Sequence, residues 1–333
     1  MAYLTLFVAG MTRLSARDYA AAIHYFNGSL NQTSEKVSAL NRATVYYFRA
    51  IAYGATSNYS HAIHDLSDAI NRRPDYYLAY NARSVAYDYL NKPNAAIADA
   101  SSAIKLMPSK ADAYVNRAAA YGHRGREGDV DRAISDCNTA LRLSPNLPEV
   151  LVNRGNAYAA KGQNNLANSD FTNAIRADAQ HVSAYMDRAL LYWRSGREQL
   201  AVNDFTKAIQ LDPKHLSAYK YRGEIYADEG RIDLAISDFT QAIRLDSRSV
   251  ETYIDRGLAY SRGGDFAHAI TDYSRALKID RTWGAAYFGR GVAYQHLGQR
   301  TKAIADFQAS LKYLRDPSLR KLARGQIDLL RSK

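Results

Sequence analysis

Tyr219-Lys220-Tyr221-Arg222-Gly223-Glu224-Ile225-Tyr226, followed nine residues later by Ala235-Ile236-Ser237-Asp238-Phe239-Thr240-Gln241-Ala242-Ile243, is the stretch that decides the fold. In the first segment apolar or aromatic residues recur at i, i+4 and i+7. In the second they recur at i, i+1, i+4, i+7 and i+8. Both spacings place one apolar stripe on a helix, so the stretch reads as two amphipathic helices joined by a short glycine-containing turn. Thirty-four residues further on, Tyr253-Ile254-Asp255-Arg256-Gly257-Leu258-Ala259-Tyr260 repeats the opening pattern.

Working outward at that period, eight units tile residues 43–317, starting at 43, 77, 111, 148, 182, 216, 250 and 284. The third is three residues longer, the extra length falling in its inter-helix turn around Gly122–Gly128. Pro74, Pro108, Pro145 and Pro213 lie near the ends of units, where a residue without an N–H stops the second helix. A tandem 34-residue helix-turn-helix with aromatic, small and proline residues at these places resembles the tetratricopeptide repeat. The resemblance implies an all-α fold, a right-handed superhelical α-solenoid of tandem helix-turn-helix units. Residues 3–36 read as a divergent further copy, with Gly10, Tyr19, Ala22 and Phe26 at the small and aromatic places, although its link to the next copy is too long. Residues 318–333 read as a C-terminal capping helix, with Leu319, Leu322, Ala323, Ile327 and Leu330 on one face and Arg320, Lys321, Arg324 and Arg331 on the other.

Composition agrees with a folded chain: 47% hydrophobic, 23% charged, and only 7 prolines and 19 glycines in 333 residues. The single cysteine, Cys137, excludes an internal disulfide framework and a multi-cysteine metal site. The longest apolar stretch, Leu4 to Met11, is far short of a membrane span and lacks a basic start and a cleavage site, so it reads as a helix. A cytoplasmic location is the default expectation, and export the expectation if translation begins upstream.

The seventh place of all eight units is arginine: Arg49, Arg83, Arg117, Arg154, Arg188, Arg222, Arg256 and Arg290. The matching place of every second helix is aspartate: Asp65, Asp99, Asp136, Asp170, Asp204, Asp238, Asp272 and Asp306. In a hairpin folded at its turn these places face each other, and the planar guanidinium fork suits a two-bonded carboxylate. The divergent first copy has Ala9 and Tyr25 there, losing both partners together. Eight copies of one pair along an array read as structure, not as catalytic machinery.

No phosphate-binding glycine loop, Gly-x-Ser-x-Gly elbow or His-Glu-x-x-His helix occurs, so no enzymatic activity and no cofactor are expected. His61 and His64, beside Asp65 and Asp68, have a spacing that metal ligands use, but no third ligand is specified and Asp65 is already paired. The glycine-containing insertion with Arg124 and Arg126 offers an anion cradle or simply a tolerated loop. Cys137 stands where other copies have Phe171, Phe205, Phe239 and Phe307, and is expected in the core and inert.

In arrays of the resembling family the first helices line a concave face that holds peptides. The candidate groove here runs from Asn116 to Phe288 and comprises Asn116, Asn153, Asn156, Met186, Asp187, Leu190, Trp193, Arg194, Lys220, Tyr221, Ile254, Asp255, Leu258 and Phe288. An asparagine ladder at the sixth place, which the resemblance associates with holding peptide backbones, is matched only by Asn116 and Asn153. A carboxylate clamp for an acidic C-terminus is contradicted by Glu224 beside Lys220, which would repel it. The expected function is a non-catalytic protein-interaction scaffold whose partner is a protein or peptide of unknown identity, with self-association as a further option. The alternative is a nucleic-acid-binding helical repeat, motivated by the net charge of +11 and 26 tyrosines. It ranks second because the tyrosines recur at packing places and the charge is scattered.

Overall fold

The computed structural model describes residues 2–32 and 39–332, and among these the secondary structure is helical, without strands. Two compact units are present. The first, residues 1–184, contains α1 (Ala2–Ser15), α2 (Tyr19–Leu30), α3 (Ala39–Ala55), α4 (Tyr59–Arg72), α5 (Tyr77–Tyr89), α6 (Pro93–Leu106), α7 (Ala111–Arg124), α8 (Asp129–Leu143), α9 (Pro148–Ala160) and α10 (Asn164–Ala177). The second, residues 185–333, contains most of α11 (Val182–Arg194), then α12 (Glu198–Leu211), α13 (Leu216–Asp228), α14 (Ile232–Leu245), α15 (Val250–Arg262), α16 (Phe266–Ile279), α17 (Gly284–His296), α18 (Arg300–Tyr313) and α19 (Pro317–Ser332). The last residues of the divergent first copy, 33–36, lie outside the described residues.

Within each unit successive helices pair as hairpins and the hairpins stack. First helices also touch first helices: α1 with α3, α3 with α5, α5 with α7 and α7 with α9 in one unit, α13 with α15 and α15 with α17 in the other. That closer approach makes the wall of first helices the inner one. Pro74, Pro108, Pro145 and Pro213 each lie two residues beyond a helix end, where a missing N–H costs nothing.

The core is cut to a repeated shape. At Gly155 a built Cβ would stand 2.6 Å from the Phe171 ring, at Gly223 2.9 Å from Phe239, and at Gly291 3.0 Å from Phe307. Glycine at the eighth place is thus a notch for the ring of the second helix, and at Gly10 a built Cβ would likewise stand 2.6 Å from the Phe26 ring. Where the second helix carries a smaller group the notch is filled: Ala50 accompanies Leu66, Ser84 accompanies Ala100 and Ala118 accompanies Cys137. Ala189 beside Phe205 shows that a methyl is not always excluded. Cys137 is buried as expected, and burial pushes its thiol up to about 12, out of reach of ordinary thiolate chemistry.

The longer turn of the third repeat has two left-handed residues, Gly125 and Gly128, and the inter-helix turns of regular length have one. It is glycine at Gly162, Gly196, Gly230, Gly264 and Gly298, but Arg17, Ser57 and Asn91 adopt φ of 60°, 58° and 54° at the corresponding places. A side chain there crowds the carbonyl, which glycine avoids and asparagine tolerates. Ser57→Gly is therefore expected to stabilise the array by about 0.5–1 kcal/mol after the entropy that glycine adds to the unfolded chain. Asn91→Gly should give less. A urea midpoint that does not rise for Ser57→Gly would contradict the strain at this turn.

The insertion of the third repeat has an internal purpose. Arg124 donates to both carboxylate oxygens of Asp129, at 2.8 and 2.6 Å, and the Arg126 N–H and Arg132 add two further bonds. The anion that this loop cradles is the chain's own Asp129, whose carboxyl is held well below the usual range, foremost by Arg124.

In α19, Ala323, Ile327 and Leu330 are buried. Leu322, expected on the same face, is instead 55% exposed, being one step round the helix from that stripe. Arg320 caps the end of α18 by donating to the carbonyls of Leu311 and Leu314. Arg324-Gly325 follows Arg290-Gly291 by 34 residues, but Lys321 and Asp328 replace the tyrosines, and among the described residues no side chain or other element comes within 4 Å of a Cβ at Gly325. Polar residues at the two tyrosine places make that face a solvated one.

Candidate functional site: the inner wall

The Arg/Asp pairs fix how each first helix is rotated. In all eight, Nε and Nη2 of the arginine donate to the two aspartate oxygens at 2.5–2.9 Å. The aspartates are 2–10% exposed and the arginines 15–22%. In Arg49, Arg83, Arg117, Arg154, Arg222, Arg256 and Arg290 the remaining nitrogen, Nη1, reaches back to the preceding second helix: to Asn27, Ser67, Ser101, Asn138, Thr206, Thr240 and Ser274, at 2.6–3.1 Å. Sequence reasoning missed this third bond. Its signal was visible, since Ser, Thr or Asn stands two residues after the aspartate in seven of the eight units.

With the guanidinium turned toward the second helix, the second, sixth, ninth, twelfth and thirteenth places of the first helices face the inner wall, and the fifth joins them in α3, α5 and α7 (Tyr47, Asn81, Val115) but is buried in α9 and α11 (Val152, Met186). In the first unit these places line three adjoining hollows. Between α3 and α5 one of about 490 Å³ is bounded by Tyr47, Ile51, Gly54, Leu78, Val85 and Tyr89. Between α5 and α7 one of about 430 Å³ shares Val85 and Tyr89 and adds Asp88, Asn116 and His123. Between α7 and α9 one of about 510 Å³ shares Asn116 and adds Asp112, Val115 and Glu149. Leu78 is 45% exposed and Tyr89 67%, with the Tyr89 ring stacked on Tyr59 at 4.6 Å. The apolar hollow precedes the residues singled out from sequence, because polar sixth-place residues drew attention to the middle of the chain while its own sixth-place residue is only Ala82.

Polar side chains form a chain across the first unit. Asn116 donates to Asn81 at 2.8 Å, Asn81 donates to Asp112 at 3.1 Å, and the Tyr77 hydroxyl also donates to Asp112. Burial first, and then that carboxylate, hold the Tyr77 hydroxyl above its ordinary range. His123 Nδ1 lies 2.9 Å from Asp88. Asn153 and Asn156 are exposed on α9.

In the second unit Met186 is 6% exposed, so it packs within the array and does not present its side chain to the wall as expected. Leu190 and Trp193 are half-buried and Arg194 is exposed. The Trp193 ring lies 5.8 Å from that of Tyr221, so part of the tryptophan serves packing. Lys220, Asp187, Ile254, Asp255 and Phe288 are half-buried, and Leu258 is 45% exposed. Burial, reinforced by Asp255 and opposed by Lys220, pushes the Glu224 carboxyl up to about 6. Burial likewise raises Asp255.

Counted by place, the wall carries Asp88, Asp112 and Glu149 in the first unit and Asp187, Glu224, Asp228, Glu251 and Asp255 in the second, against Arg194, Lys220 and Arg262. Its sign is opposite to that of the chain. Metal binding finds little support: His61 turns to Asn58 at 2.7 Å, and in the group His64, Asp65 and Asp68 both oxygens of Asp65 are held by Arg49. Among the described residues no helix is long and apolar enough to cross a membrane.

Among solved structures the chain is similar to a tetratricopeptide repeat protein from Parabacteroides merdae, at 19% identity and TM-score 0.50, covering 76% of this chain and 98% of that one. It is similar to the Cut9-Hcn1 hetero-tetramer of APC/C at 14% identity and TM-score 0.50, covering 98% and 83%. It is also similar to YrrB, described as a TPR protein with an unusual peptide-binding site, at 21% identity and TM-score 0.48, covering 56% and 95%. No curated protein matches the chain. A family profile, described as tetratricopeptide repeat, matches residues 81–148, 152–214, 196–250 and 254–317. Members of that family generally mediate protein-protein interactions and are typically non-catalytic. Repeats, notches and pairs thus agree with the profile, and the chain belongs to the tetratricopeptide repeat family.

Proposed function

We infer that the chain is a non-catalytic scaffold that holds a segment of another protein along the inner wall of its first helices. The observation that carries this reading is the row of three adjoining hollows in the first unit, opening with exposed Leu78 and with Tyr89, which stays 67% exposed although its ring stacks on Tyr59. Large apolar side chains exposed together beside polar groups mark an interaction surface, whereas single exposed ones do not. In the first unit the groove continues past Asn116 to Asn153 and Asn156. In the second, Leu190, Trp193, Tyr221, Leu258 and Phe288 occupy the equivalent places.

Affinity capture from a native lysate tests it with wild type beside Leu78→Ala/Tyr89→Ala and Leu190→Ala/Trp193→Ala. A protein held by wild type should be lost from at least one variant, with affinity falling about tenfold or more when two anchors are truncated. Undiminished capture by both variants would overturn the groove. The exposure of Leu78 and Tyr89 means that the first variant should retain nearly all its stability, which a urea melt checks.

A further inference from the structure

The geometry points to a cationic protein segment, anchored by an apolar side chain, as the ligand of the inner wall formed by α3, α5, α7 and α9; this rests on the groove reading above and names the ligand's chemistry. The chain carries a net charge of +11, yet no lysine or arginine occupies an inner-wall place of these four helices. Asp88, Asp112 and Glu149 do, and Lys110, in the third, is the one lysine or arginine among the residues that line the three hollows. A concave surface between low-dielectric walls focuses the field of the charges that line it, so the groove attracts cations although the molecule as a whole repels them. The same field repels phosphates, which sets nucleic acid against this face.

Position adds what charge alone lacks. Asp88 adjoins Tyr89 in the chain, and the two side chains share the second hollow, so a carboxylate stands beside the rim of the apolar hollow. The Asp88 side chain is 18% exposed and its present partner is His123, a 62% exposed imidazole that a lysine or arginine of the ligand can displace. Adjacent first helices pack about 10 Å apart, a distance that about three residues of an extended chain span. The ligand pattern is therefore an apolar residue seated against Ile51, Leu78 and Tyr89, with lysine or arginine two to four residues away facing Asp88, and further positive charge toward Glu149. In this mode pockets supply the anchor, and complementary charge selects the sequence and speeds encounter.

Panning a phage-displayed random dodecapeptide library on the full-length protein tests this directly. Selected peptides, synthesised with a fluorophore, are then titrated by anisotropy against wild type, Leu78→Ala/Tyr89→Ala and Asp88→Asn/Glu149→Gln. Enrichment of an apolar residue two to four positions from lysine or arginine is expected. Loss of about tenfold in affinity is expected with the first variant. About three- to tenfold is expected with the second, together with a shallower salt dependence. Peptides that are acidic or lack basic residues, yet lose affinity in the Leu78/Tyr89 variant, would overturn the cationic ligand and leave the groove standing. Failure to enrich any peptide, or binding indifferent to both variants, would overturn both. Tight, salt-sensitive binding of random-sequence RNA that the Asp88/Glu149 variant strengthens would also refute the charge argument, by showing that phosphates enter this groove.

Discussion

Asp238→Ala is expected to destabilise the protein by about 3 kcal/mol, the lower end of the cost of stranding one partner of a buried ion pair. The lower end applies because Arg222 keeps 15% of its side chain exposed, and water reaches it when the 6% exposed carboxylate is gone. Burial alone would depress the Arg222 guanidinium, and its bonds to Asp238 more than offset that effect, leaving it above its ordinary value. Arginine does not escape by deprotonating, so the variant holds a charge with two donors unfilled and only Thr206 still accepting from it. Urea denaturation followed by circular dichroism reads the loss. A double variant, Arg222→Met/Asp238→Leu, should recover most of it, since an apolar pair of similar volume removes the stranded charge. Unchanged stability of Asp238→Ala would mean that the pair contributes geometry and no energy.

Phe239→Ala is expected to cost about 3–5 kcal/mol, the usual range for deleting a buried phenylalanine ring. The ring is 1% exposed and fills the notch over Gly223, so its removal opens space that neither backbone nor a neighbouring methyl can close. In a stacked array the stability is a sum over units and their interfaces, so a weakened interior repeat separates the parts on either side. The melt should then broaden or split into two steps, and limited proteolysis should cut near residues 229–232 first. A single sharp transition at an unchanged midpoint would contradict this. The two substitutions differ in kind: the loss at Phe239 is indifferent to salt, whereas the loss at Asp238 shrinks as counterions screen the abandoned guanidinium.

The array was legible because a period repeated eight times turns weak local preferences into one pattern. The pairs were legible for the same reason, since an arginine and an aspartate that vanish together in the first copy have a common cause. The third bond of these arginines escaped notice because a serine, threonine or asparagine on a helix has an ordinary solvated reading. The hollow between α3 and α5 depends on the space left between two helices, which no single residue of Tyr47, Ile51, Leu78 or Tyr89 encodes. Met186 and Leu322 were misplaced for one reason: each sits a single step round its helix from a boundary between packed and open faces, and hydropathy alone does not locate that boundary. Total charge was rightly given little weight, because +11 describes the whole chain while the inner-wall places carry more acidic than basic residues.

The bonds of these arginines to two successive hairpins have a consequence for how such a chain changes length. Six of them, from Arg83 to Arg290, take an acceptor sixteen residues behind in the chain, and seven take their aspartate sixteen residues ahead. Cutting out or duplicating 34 residues between equivalent points of the regular repeats therefore returns the arginines on either side to acceptors at the same offsets. A gene that gains or loses whole periods keeps all its joints, whereas one that slips by a few residues breaks two at once. The third repeat tolerates its three extra residues because they fall inside one hairpin turn, stretching a single offset to nineteen and leaving those on either side untouched.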